Sequence, residues 1–188
     1  MEWYVEWVRE NALLSAAVQF AVLGTAGEVV SHLVKTRRIE MPFGIVTLIL
    51  KMAAWALLGV FVKYGFAGVT FALQGLIAHG FLPAALAPVA ASAAVADKLP
   101  WALTMSVTTN AFFGPQLMAF HRIEDNLIDR KWNFAGITNA WKTLIWFWIP
   151  AHTITFALPK EYQLGLAALW GFVLGLILGL SAPVKKRG

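Results

Sequence analysis

The chain has 188 residues, 59% hydrophobic and 13% charged, with a formal charge of +5 and a mean hydropathy of +0.67. A chain that meets water on every side usually carries about 25% charged residues; half that share excludes an ordinary polar exterior and predicts a lipid-facing one. The length leaves no room for a second domain, and the lack of cysteine excludes disulfides and thiolate metal sites.

Residues 1–11 place Trp3 and Trp7 four apart among Glu2, Glu6, Arg9 and Glu10, predicting a short interfacial helix. The segment has neither the basic start of a secretory signal nor the Arg- and Ser-rich character of a transit peptide. Residues 12–34 are the first spanning candidate, about 34 Å long at the helical rise. Gln19, Glu28, Ser31 and His32 interrupt its apolar run, and Gly24 and Gly27 open the backbone to close helix packing. Lys35, Arg37 and Arg38 end it.

Residues 43–62 are apolar around Lys51, and 66–82 around Gln74 and His79, with Lys63 between them. They read equally as two spans or as one long helix bent around Gly65 and Gly68. The alanine-rich stretch between Pro83 and Asp97 predicts a buried or half-membrane segment. Residues 101–120 form a further apolar helix, with a kink expected at Gly114 and Pro115. Residues 121–142 are a mixed-charge polar loop or surface helix.

Two apolar legs follow, from Trp141 to Ser181, joined by the short link at 159–162. Gly171, Gly175 and Gly179 give two overlapping GxxxG spacings, a helix-packing signal. A basic tail at 185–188 closes the chain. The basic clusters flank apolar segments, a placement suited to anionic lipid headgroups; nucleic acid is not an expected partner. Charge bias puts the N-terminus outside and both basic clusters inside, which conflicts with an even number of crossings.

Glu28 is the most informative residue, because a carboxylate inside an apolar helix is costly unless paired, neutralised or wet. His32 shares its face at i+4, and Lys51 or Lys63 could reach it from the next segment. Two readings stand: a pathway-lining, gating or proton-sensitive group, or a polar clasp between helices. The four histidines lack metal-ligand spacing, and no serine sits in a nucleophile motif. No metal site, cofactor or enzymatic activity is expected. His152 follows Pro150, which leaves a helix carbonyl without its usual donor; a hydrogen-bonded kink and a solvent-filled passage both fit.

Two stretches carry a family resemblance. AVQFAVLGTAGEVVSHLVKTRR (17–38) is similar to the opening helix of the Mpv/PMP family of small peroxisomal and mitochondrial inner-membrane proteins. Gly27 stands on the family glycine, Glu28 on its aspartate, Ser31 on its serine and His32 on its glutamine. WIPAHTITFALPKEYQ (148–163) resembles the family signature at Trp148, Phe156 and Pro159, although Pro159 comes one residue early. His152, Thr155 and Gln163 replace its glutamine, asparagine and arginine. ADKLP (96–100) is a fainter match, and the family's Gly-Pro and Trp-Tyr pattern is not evident around 55–64. The resemblance implies about four membrane helices and a weakly selective channel. It also implies that Glu28, His32 and the Trp148–Gln163 segment contribute to a central pathway.

The sequence therefore predicts an all-α, compact polytopic membrane helical bundle with about four principal transmembrane helices plus shorter or kinked segments. The expected function is a weakly selective channel for ions or small metabolites, the alternative a non-catalytic structural subunit of a membrane complex. Candidate pathway or clasp residues are Glu28, His32, Lys51, Lys63, His152 and Thr155; candidate packing residues are Gly24, Gly27, Gly171, Gly175 and Gly179. Expected partners are membrane lipids, a second copy of the chain or other membrane subunits. By resemblance the location is the mitochondrial inner membrane, with a peroxisomal or bacterial inner membrane as the alternative.

Overall fold

The computed structural model describes residues 2–180; the side chains at 178 and 179 and the basic tail at 185–188 lie outside the described residues. Among the described residues eight α-helices follow one another: α1 Glu2–Glu10, α2 Ala12–Thr36, α3 Ile45–Ala78, α4 Val95–Thr108, α5 Gly114–Asp129, α6 Ile137–Thr143, α7 Ile149–Ala157 and α8 Lys160–Leu180. π-helical turns at Thr109–Phe113 and Leu144–Trp148 join α4 to α5 and α6 to α7. Each is followed at its second residue by a proline, Pro115 or Pro150. Proline cannot donate to the carbonyl four residues back, and the widened turn absorbs that missing bond.

α2 packs along both α3 and α8, and α4 packs along α7. Small residues set the first two contacts. A Cβ on Gly59 would stand 2.5 Å from the Ala16 carbonyl oxygen, and one on Gly27 would stand 3.1 Å from Phe172 Cα. Between these helices lies a core that includes Phe20, Leu58, Val62, Phe66, Met105, Phe156 and Leu164. α1 folds back on this frame. Tyr4 donates to Gln19 Oε1 at 2.8 Å and stacks on Tyr162, while Arg9 pairs with Glu161 at 2.8 Å. α2 ends where Arg37 enters the left-handed region (φ 55°) and donates its N–H to the Leu33 carbonyl.

The all-α architecture of about four principal transmembrane helices needs correction. Among the described residues, two helices, α2 and α3, are long and apolar enough to cross a bilayer. Length and composition alone make that weak evidence, because buried core helices meet the same test. α3 is a single helix of 34 residues, about 51 Å at the helical rise against a hydrocarbon core of about 30 Å. The first hairpin leg is not one regular helix but α6, a π turn and the nine-residue α7. The alanine-rich stretch is also corrected: it is a largely exposed loop with one 3-10 turn at Ala84–Leu86. Residues 121–142 divide between the end of α5, a loop and the start of α6.

The expected membrane partners and membrane location are corrected with the fold. Gly27 and Gly175, both marked as helix-packing residues, meet each other within the chain: a Cβ on Gly175 would lie 3.4 Å from the Gly27 carbonyl oxygen. Gly24 is covered by the Trp55 ring. Gly24, Gly27 and Gly175 thus serve the α2–α3 and α2–α8 contacts inside the chain. Gly179 lies outside the described surroundings.

Candidate functional site

A cavity of about 570 Å³ runs between α2, α3, α5, α7 and α8. Its two ends differ in chemistry. Glu28, His32 and Lys35 of α2 meet His121, Arg122 and Asp125 of α5 at one end, while Phe66, Thr109, Asn110, Trp148 and His152 line the other. Trp55 and Phe66, which mark the two ends on α3, lie about 16 Å apart along the helix. Lys35 is exposed and His152 buried, so the charged end is the mouth.

The mouth is organised around Lys51. Its buried ammonium lies 2.5 Å from Asp125 Oδ1 and 3.1 Å from Glu28 Oε2. Glu28 Oε1 accepts from Trp55 Nε1 at 2.7 Å, and the Trp55 and His121 rings lie 4.5 Å apart. Burial alone would lower the Lys51 pKa, but the Asp125 and Glu28 carboxylates outweigh it and hold the pKa above its ordinary value. Glu28, His121 and Asp125 offer three ligand atoms within 4.8 Å of one another. Such a set could hold a divalent ion. Lys51 already supplies a cation to both carboxylates, and its charge would repel a second one.

The deep end is uncharged. Asn110 Nδ2 donates to the Ser106 carbonyl at 2.8 Å and reaches His152 Nδ1 at 3.2 Å. With Nδ1 accepting, the His152 proton sits on Nε2. Aromatic rings surround this imidazole, with Trp148 at 5.0 Å, Phe66 at 5.6 Å and Phe156 at 5.8 Å. Burial pushes its pKa down to about 3, so it is neutral. Thr109 Oγ1 and Trp148 Nε1 are buried and find no hydrogen-bond partner among the described residues.

The sequence candidates divide accordingly. Glu28, His32 and His152 line the cavity, and Lys51 bonds the Glu28 carboxylate beside it. Glu28 takes Lys51 and Trp55 as partners; His32 is not among them. Lys63 is half-buried and does not line the cavity. Nor does Thr155, whose hydroxyl donates to the Ala151 carbonyl and accepts from Trp170 Nε1. Gly171 lines the cavity, and a Cβ there would meet nothing within 4 Å.

Asp125, His121, Trp55, Thr109 and Asn110 join the site although the sequence did not mark them. The i,i+4 pair His121 and Asp125 was a usable signal, since it places both on one face of α5. The channel reading is corrected by this geometry: Glu28 and Lys51 are held in an ion-paired cluster with Asp125, His152 and Thr155 are buried, and Lys63 lies off the cavity. The membrane-subunit alternative is corrected as well: Gly24, Gly27 and Gly175 make their close contacts inside the chain. Comparisons with family models, with curated proteins and with solved structures return no match, so the resemblance to the Mpv/PMP family rests on the residues quoted for it alone.

Proposed function

We propose that this chain is a binding protein for a small amphipathic molecule, which it holds without transforming. The observation that carries this reading is the cavity itself: about 570 Å³, apolar along its length and charged at its mouth. Ligand sites are concave, mostly apolar and furnished with a few placed polar groups, and a volume in this range suits one small molecule. Phe20, Leu58, Val62 and Leu117 would cover the apolar body, and Glu28, His121 and Asp125 would face its polar head.

Gly171 provides the test. Gly171→Phe projects a ring from α8 into the space that no atom of the chain fills. Equilibrium dialysis against a medium-chain alcohol should give one saturable site in the native chain and at least a tenfold weaker one in the variant. Equal binding in both, with helix content unchanged, would place the alcohol elsewhere and sink the proposal.

A further inference from the structure

We infer that the deep end of the cavity recognises an uncharged carbonyl group carried on an apolar body. This deepens the binding reading above and rests on it. Three groups at this end offer hydrogens: the Thr109 hydroxyl, the Trp148 indole N–H and the His152 Nε2–H. The first two have no acceptor among the described residues although both atoms are buried. Thr109 is only 2% exposed. Buried donors are usually paired, because leaving one unmade forfeits its hydration. Two on the wall of one cavity point to an acceptor that enters it.

The chemistry of that acceptor follows from what surrounds the donors. Asn110 already occupies His152 Nδ1, so the imidazole turns a donor and not an acceptor to the ligand. The Trp148 indole is donor-only. A ligand hydroxyl could accept here too, but of these three groups Thr109 Oγ1 alone could take its hydrogen. A carbonyl oxygen, with two lone pairs and no hydrogen, matches this set. A carboxylate or phosphate would need a cation to offset its desolvation. The basic residues on the cavity wall, Lys35, Arg122 and the histidine His32, stand at the mouth.

The two π-helical turns explain why the donors sit together. Thr109 opens one and Trp148 closes the other. Ser106, one turn before Thr109, donates to the carbonyl of Ile149, the residue after Trp148, at 2.7 Å. That bond fixes the two turns against each other.

A medium-chain methyl ketone and the n-alkane of equal length make the comparison, with dissociation constants from equilibrium dialysis and the carbonyl infrared band of the bound ketone. The ketone should bind more tightly, with its band at lower wavenumber than in hydrocarbon solvent. In Thr109→Val and Trp148→Phe, each of which removes one donor and keeps most of the shape, the ratio of ketone to alkane affinity should fall roughly five- to tenfold. Thr109→Ser should recover most of that ratio. Equal affinity for the two molecules, or an unshifted band, would overturn the carbonyl inference and leave the amphipathic cavity standing. If neither binds, while circular dichroism reports a folded chain, both readings fall.

Discussion

Lys51 Nζ lies 2.5 Å from Asp125 Oδ1, a contact across 74 positions of sequence that ties the first half of α3 to the end of α5. Glu28 of α2 joins the same ammonium at 3.1 Å, so one cation holds three helices at the cavity mouth. Lys51→Met should destabilise the chain by about 3 kcal/mol, because two carboxylates would then face each other partly buried and uncompensated. Glu28→Gln should cost about 1 kcal/mol, since Asp125 still holds the lysine. Denaturant unfolding of both variants checks the order, and equal losses would contradict it.

The neutral His152 makes stability depend on pH in a stated direction. In the folded chain it stays unprotonated down to about pH 3, while its ordinary value is 6.5. Between these values the unfolded chain binds the extra proton, so stability falls as pH drops. The slope is at most about 1.4 kcal/mol per unit, and the contribution is present in full above the ordinary value. His152→Gln, which cannot titrate, should flatten that part of the profile. Unfolding midpoints of the two proteins at pH 7, 6 and 5 read the difference.

Gly59→Ala sets two effects against each other. Helix propensity favours alanine by about 1 kcal/mol. The new methyl would stand 2.5 Å from the Ala16 carbonyl oxygen, a backbone atom that moves only if α2 moves. Overpacking of this kind costs about 1 to 3 kcal/mol, so the variant should be less stable than the native chain. Thermal melting decides the sign; an unchanged or raised midpoint would show that α2 can shift freely.

α1 offers a contrast between an exposed and a sheltered contact. The Arg9 side chain is 67% exposed in its pair with Glu161, and such pairs contribute less than about 1 kcal/mol. The Tyr4 hydroxyl bonds Gln19 in a half-buried setting, where a lost bond costs about 1 kcal/mol. Tyr4→Phe should therefore speed amide exchange in α1 more than Arg9→Ala does, and added salt should erase only the arginine effect.

Glu28 and Lys51 were legible in the sequence because each is a lone charge in a long apolar run, where a partner is physically required. Asp125 and His121 were not, because they lie among other charges and nothing in that stretch demands burial. Trp55 went unmarked, since spacing does not reveal where an indole N–H points. The apolar runs correctly announced helices, but apolarity does not say whether a face meets lipid, a neighbouring helix or a cavity. Residues 43–82 showed this most clearly. Gly65 and Gly68 suggested a bend, yet α3 continues through both. At Gly65 the opening is filled by the Phe113 ring. Pro115 and Pro150 marked disturbed helix as expected, though the form taken, a widened turn, depends on tertiary bonds such as Ser106 to Ile149.

Each π turn seats one residue more than an α-helix of equal span would hold. Deleting a single residue from 109–113 would let the segment close into ordinary helix, with helix content nearly unchanged by circular dichroism. Everything beyond it would keep its phase around the axis, because the extra residue is what the wide turn takes up. His121 and Asp125 would still meet Lys51, and the mouth would hold while Thr109 and Asn110 lost the setting that the wide turn gives them. The spare residue therefore belongs to the deep end: it shapes the wall there and leaves α5 to arrive as an unbroken helix would.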